Sequence, residues 1–110
     1  MAKKFTTYQE DLIEALKDPQ EAAAYLNTAM DEDDRAVFLL ALRNVAEAHG
    51  GMALVAEKAR LNRENLYRML SKQGNPEIKS VLSLLRSMGL KLSIKPKDKA
   101  VKSSKIRKAA

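Results

Sequence analysis

The stretch ARLNRENLYRML, residues 59–70, sets Arg63, Asn65 and Arg68 among the regularly spaced apolar residues Leu61, Leu66, Met69 and Leu70. On a helix this spacing leaves one face apolar and arms the other with Arg63, Glu64, Tyr67 and Arg68, with the amide of Asn65 among them. The chemistry open to such a face is the reading of base edges. An arginine fork can pair with O6 and N7 of guanine, a contact worth roughly 1–3 kcal/mol of discrimination. Glu64 can accept from cytosine N4, or simply hold Arg68 one turn on. Tyr67 can touch a phosphate or a thymine methyl, or pack over the domain edge. A plain amphipathic helix with a solvated face has the same pattern, so the neighbouring elements must decide between the two.

Those neighbours supply further contacts of the same kind. Asn62 is first of all a helix cap and can also donate to phosphate. Gly51 and Met52 open a short helix whose first backbone N–H groups can hold a phosphate. Lys72 and Lys79 are candidate phosphate contacts. Other chemistry is poorly served. The chain has no cysteine and one histidine, His49, which reads as a water-facing helix end. A thiolate or metal site is therefore not expected. With no Gly-rich phosphate cradle either, the sequence carries no catalytic constellation, and neither enzyme activity nor a cofactor is expected. The methionines read as core filler.

The elements that must position this face are helical almost throughout. YQEDLIEALKD lines up Leu12, Ile13 and Leu16 and allows a short helix. Asp18, Pro19 and Glu21 have the types of an N-cap, a first helical residue and a capping-box partner for a helix over 19–30, with Ala22, Leu26 and Met30 in one line. DEDD, 31–34, supplies a cap and a negative first turn for a helix over 34–48, in which Phe38, Leu42 and Val45 repeat. Gly50 can end it in a left-handed conformation. Two short helices follow, over 52–59 and 63–71, joined by three residues and stopped by Gly74. A last helix over 76–88 carries Ile78, Val81, Leu82, Leu85 and Met88 and closes at Gly89. LKLSI then alternates Leu90, Leu92 and Ile94 with Lys91 and Ser93, the period of a strand that Pro96 ends. KFTTY, 4–8, is the other β-prone stretch, and the two are expected to pair within one chain or across a dimer.

Two short helices joined by three residues form the layout of a helix-turn-helix. Ala56 gives the small residue that the crossing needs, and Val55, Ala59, Leu61, Leu66 and Met69 have the spacing to lock the pair. The turn position usually held by glycine is Arg60, which therefore needs an uncommon positive φ.

Charge is distributed in keeping with this. The 110 residues carry a net charge of +6. Residues 1–49 hold five Lys/Arg and ten Asp/Glu, a balance of −5, and residues 50–110 hold fifteen and four, a balance of +11. One surface then faces a polyanion, most commonly nucleic acid, while the other does not. An anionic membrane fits less well, because the basic segments lack an aromatic face. No apolar run reaches the roughly 20 residues of a membrane span, and no signal-peptide core is present, so a cytoplasmic protein is expected. The tail KPKDKAVKSSKIRKAA has seven basic residues and little apolar content, and should be disordered in isolation, as a phosphate-binding arm or a solvated end. Single-stranded RNA is poorly served, since stacking aromatics are scarce.

LKDPQEAAAYLNTAM, followed by FLLALRNVAEAHGGMALVAEKARLNRENLYRMLSKQGNPEIKSVLSLLRSMGLKLSI, resembles the addiction-module antidote proteins, small bacterial and phage antitoxins. The likeness spans roughly residues 5–95, with DPQEAAAYLN, ALRNVAEAHGGM, RENLYRMLS and GNP in order. It implies an all-α fold: a five-helix Cro/repressor-like helix-turn-helix domain with a short C-terminal β-strand. It also implies a homodimer on double-stranded operator DNA and a RelE/ParE-like toxin as partner, neutralised while the shared operon is repressed. The expected division is an acidic helical segment over 1–32, the DNA-binding domain over 33–95 and the basic tail over 96–110. A free-standing phage-like repressor with no toxin partner is the alternative that the residues leave open.

Overall fold

The computed structural model describes residues 7–97. These form six helices, as the residues lay out and one more than the five that the resemblance implies: α1 (Tyr8–Ala15), α2 (Pro19–Met30), α3 (Arg35–Ala48), α4 (Met52–Ala59), α5 (Arg63–Met69) and α6 (Ile78–Ser87). No strand occurs among the described residues.

The start of α1 is fixed locally. Thr7 and Glu10 form a capping box: the Glu10 N–H donates to Thr7 Oγ1 at 3.0 Å, and the Thr7 N–H donates to Glu10 Oε1 at 2.9 Å. Two otherwise unpaired backbone donors are thereby satisfied at the start of α1. Tyr8 thus enters a helix, not a strand, and the rest of KFTTY, 4–6, lies outside the described residues. Residues 90–96 have no regular secondary structure and join no ladder among the described residues. Residues 98–110 of the tail also lie outside the described residues.

The other caps follow the sequence closely. Asp18 Oδ1 accepts from the Gln20 N–H at 2.9 Å with Pro19 at the first position, separating α2 from α1. Asp34 Oδ1 accepts from the Ala36 N–H at 3.0 Å. Because Asp34 is itself the cap, Asp31–Asp33 precede α3 and its first turn holds no acidic residue. Gly50 takes φ 110° and Gly89 φ 77°, positions that a side chain would strain. His49 is half-buried rather than water-facing, with Nδ1 donating to the Val45 carbonyl at 2.9 Å.

Packing runs through α3 and α4. α3 packs on α1, α2 and α4, and α4 also packs on α5 and α6. One apolar cluster joins all of them: Leu16 and Leu26 from the N-terminal part, Leu39, Leu42 and Val45 from α3, Met52 and Val55 from α4, Leu66, and Leu84 and Leu85 from α6. Helices on both sides of residue 33 thus share one core. Met52 and Met88 fill it, whereas Met30 is about half exposed. Ile78, expected on the apolar stripe of α6, is exposed.

One polar joint crosses this core. Asn44 is 6% exposed; its Oδ1 accepts from Gln9 Nε2 at 2.9 Å, and its Nδ2 donates to the Tyr25 hydroxyl at 2.8 Å. A single amide therefore ties α1 and α2 to α3. Asn44→Ala should lower stability by about 1–3 kcal/mol, the cost of stranding partly buried polar groups, whereas Gln9→Ala at the exposed end should cost less than about 1 kcal/mol. Thermal melts of the two variants check this order.

Candidate nucleic-acid interface

The placement of α5 begins at the turn before it. Arg60 takes φ 59° and ψ 42°, the left-handed conformation required of the residue at the expected glycine position. The Leu61 N–H then reaches back to the Ala56 carbonyl at 2.9 Å, and the Arg60 N–H to the Glu57 carbonyl at 3.1 Å, which closes α4 in a Schellman turn. Two residues later, Asn62 Oδ1 accepts from the Asn65 N–H at 3.1 Å and opens α5. Ala56 and Val55, each at most 2% exposed, form the α4 side of the crossing; Ala59 is buried, and Leu61 and Met69 are half-buried beside them.

α5 has seven residues, and Leu66, fully buried, anchors it. That anchor turns Arg63, Glu64, Asn65, Tyr67 and Arg68 outward, all exposed together with Asn62, Lys72 and Lys79. The helix ends two residues earlier than expected, at Met69. Ser71 Oγ donates to the Arg68 carbonyl at 2.8 Å, and the chain then folds back so tightly that a Cβ on Gly74 would lie 1.9 Å from the Met69 carbonyl oxygen. Gly74 is thus required by close approach rather than by a positive φ.

Within the outward face the residues are not independent. Asn65 Oδ1 accepts from an Arg68 Nη2 donor, so Asn62, Asn65 and Arg68 form one chain of hydrogen bonds along the helix. Of the two readings of Glu64, the intrahelical pair with Arg68 does not form; Asn65 takes that place. Tyr67 packs at the domain edge, with the Arg43 guanidinium 5.9 Å from its ring centroid. A shallow groove beside α5 gathers Asn65, Arg68, Ser71, Gln73, Asn75 and Ser80. Arg35 Nη1 donates to Asn75 Oδ1 at 3.5 Å, which brings the start of α3 to the same rim.

The two expected phosphate positions at α4 differ in kind. Gly51, at φ 97°, caps the helix without a side-chain bond, but its N–H already donates to the Ala46 carbonyl at 3.0 Å and is not free for a phosphate. The Met52 side chain is buried at 2% exposure and can offer only its backbone N–H. Arg43, Ser71 and Asn75 escaped the sequence reading: Arg43 comes from a helix remote in sequence, and the other two lie in a loop without periodicity. The basic character of positions 35 and 43 within an otherwise acidic half was the one available signal. Among the described residues, no group of His, Cys, Asp and Glu is placed to hold a metal ion, and no helix is long and apolar enough to cross a membrane.

Geometry of this kind, a short helix anchored by one leucine with its basic face exposed, belongs to a small protein that is all-helical among the described residues. The chain belongs to the family of probable addiction module antidote proteins, whose pattern matches residues 6–96. It is also 33% identical over 84 residues to an uncharacterized protein of Haemophilus influenzae, covering 76% of this chain and 86% of that one. No solved structure matches it.

The strained turn generates a prediction. Arg60→Gly should stabilise the fold by about 0.5–1 kcal/mol, since the strain of a left-handed L-residue exceeds the entropy that glycine adds to the unfolded chain. A higher denaturation midpoint at unchanged slope is the expected result.

Proposed function

We propose that the protein is the antitoxin of a toxin–antitoxin module that binds double-stranded operator DNA as a homodimer and represses its own operon, while neutralising a RelE/ParE-like toxin. The observation that carries this reading is the α5 face: in a chain of the antidote family, Leu66 is buried and Arg63, Asn65 and Arg68 stand outward around a capped start. In this reading α4 and α5 are a helix-turn-helix, with α5 in the major groove. Arg63 and Arg68 contact base edges, and the link from Asn65 holds the Arg68 guanidinium in a fixed plane, which suits bidentate pairing. Glu64, free of Arg68, accepts from cytosine. The N–H group at Met52, with Asn62, Tyr67, Lys72 and Lys79, holds phosphates and sets the register, while the Gly51 N–H is committed to the Ala46 carbonyl. Two such helices about 34 Å apart would meet successive major-groove faces.

Base reading and phosphate attraction leave different signatures. Arg68→Ala should cost roughly 1–3 kcal/mol on the operator and much less on random duplex. Removing residues 97–110 should weaken both DNAs about equally. It should also flatten the slope of log affinity against log salt by about 0.9 for each phosphate that the tail no longer neutralises, because every neutralised phosphate releases a counterion whatever the sequence. Titrations at several salt concentrations measure both. An Arg68→Ala protein that kept its full specificity ratio would remove α5 as the reading helix.

The toxin contact is placed on the opposite charge. Glu10, Asp11, Glu14, Asp18, Glu21 and Asp31–Asp34 are all exposed, and a toxin that cleaves RNA must itself attract a polyanion. Glu21→Gln, Asp31→Asn and Glu32→Gln together leave the side-chain caps at Asp18 and Asp34 intact. This triple variant should lose affinity for a co-expressed toxin and retain its DNA binding; unchanged protection of cells would move the toxin contact elsewhere.

A further inference from the structure

The segment after Gly89 satisfies little of its own backbone. The Leu90 N–H donates to the Leu85 carbonyl at 2.9 Å, but residues 91–96 have no regular secondary structure and no strand partner among the described residues. Its residue types nevertheless alternate between apolar and polar as a strand's do. Leu90 is half-buried against the core, while Leu92 and Ile94 are 38% and 91% exposed. They border a groove whose wall is Leu26 and Met30 of α2, Phe38 of α3 and Leu85 of α6. Of the segment first expected to pair with it, Thr7 caps α1 and Tyr8 is the first residue of that helix.

We infer that residues 90–95 pair with the same residues of a second copy as an antiparallel two-stranded ribbon centred on Leu92. Self-pairing of this kind is two-fold symmetric, so the residue at the axis fixes every other pair. A register centred on Lys91 sets Lys91 against itself, and one centred on Ser93 sets Lys91 against Lys95 of the other copy. Both place like charges directly opposite, which destabilises a ladder. A register centred between residues sets apolar positions against polar ones and splits the two apolar rows onto opposite faces. Centring on Leu92 avoids all three faults. Leu92 meets Leu92, Leu90 meets Ile94, and Lys91 meets Ser93. All the apolar side chains then share one face, and the lysines the other. An isolated two-stranded ribbon is marginal in water. Here the groove lined by α2 and α6 backs the apolar face on each copy. Pro96, which has no N–H, ends the ladder. This deepens the homodimer reading above, on which it rests.

The chain has no cysteine, so single substitutions in the full-length protein introduce one thiol per copy. Directly opposite residues lie within disulfide reach, whereas like positions two registers apart are about 7–8 Å from each other and are not. Under mild oxidation Leu92→Cys should therefore cross-link about tenfold faster than Lys91→Cys or Ser93→Cys. Leu92 helps the fold, so a second test uses only exposed positions. A tagged Lys91→Cys chain mixed with Ser93→Cys should give the mixed cross-link about tenfold faster than either like pair. Sedimentation equilibrium of the unsubstituted protein is measured alongside. A monomer would overturn the dimer and the ribbon together. A dimer with equal cross-linking at 91, 92 and 93, or a mixed product no faster than like pairs, would overturn the ribbon alone and leave this edge to another chain.

Discussion

Arg60 occupies a conformation in which its Cβ crowds its own carbonyl, and it stays there because the chain on both sides is fixed: the Ala56 carbonyl is closed by Leu61, and Asn62 is committed to the start of α5. With φ 59° at this one position, α5 leaves α4 at an angle that brings Leu66 down into the cluster of Val55 and Met52. The burial of Leu66 in turn decides which side chains of α5 point away. Any ordinary helical conformation at residue 60 would continue α4 and carry Leu66 out of the core, so the outward set of Arg63, Asn65 and Arg68 is a consequence of one backbone torsion.

Much of this was legible in the sequence because caps and stops are local. Asp18–Pro19, Asn62, Gly50 and Gly89 announce helix ends through their own chemistry, and the structure uses each as expected. The need for a left-handed residue at Arg60 could likewise be read from the spacing of its neighbours. What could not be read depended on competition between distant segments. KFTTY and LKLSI both alternate, but a β-ladder needs a partner, and Thr7 with Glu10 satisfies its backbone within four residues instead. Local pairing closes a much smaller loop than an edge-to-edge sheet across the whole chain. That choice takes Thr7 and Tyr8 into α1.

Within the site the same division holds. The exposed face of α5 follows from periodicity alone. The partners that fix its side chains do not: Arg43 lies over Tyr67, Arg35 reaches Asn75, and Asn65 rather than Glu64 holds Arg68. Charge counting identified a basic half and an acidic half, but the fold brings two arginines of the acidic half to the edge of the basic face. Net charge by segment is a guide to the field around a protein and a poor guide to which cations share a rim.

The brevity of α5 has a thermodynamic consequence. Seven residues are far below the roughly 12–15 at which an isolated helix becomes even marginal in water, so α5 has almost no stability of its own. Its order is lent by Leu66 and by the turns at Arg60 and Gly74, all rooted in the common core. The outward face therefore exists only while the core is closed, and no state of the chain keeps the face after losing the fold. Linkage makes this reciprocal: a ligand that grips α5 withdraws the molecule from every partly opened form, including those in which α1 or α2 has come away from α3. Occupancy of the surface and lifetime of the folded chain are then two measures of one equilibrium.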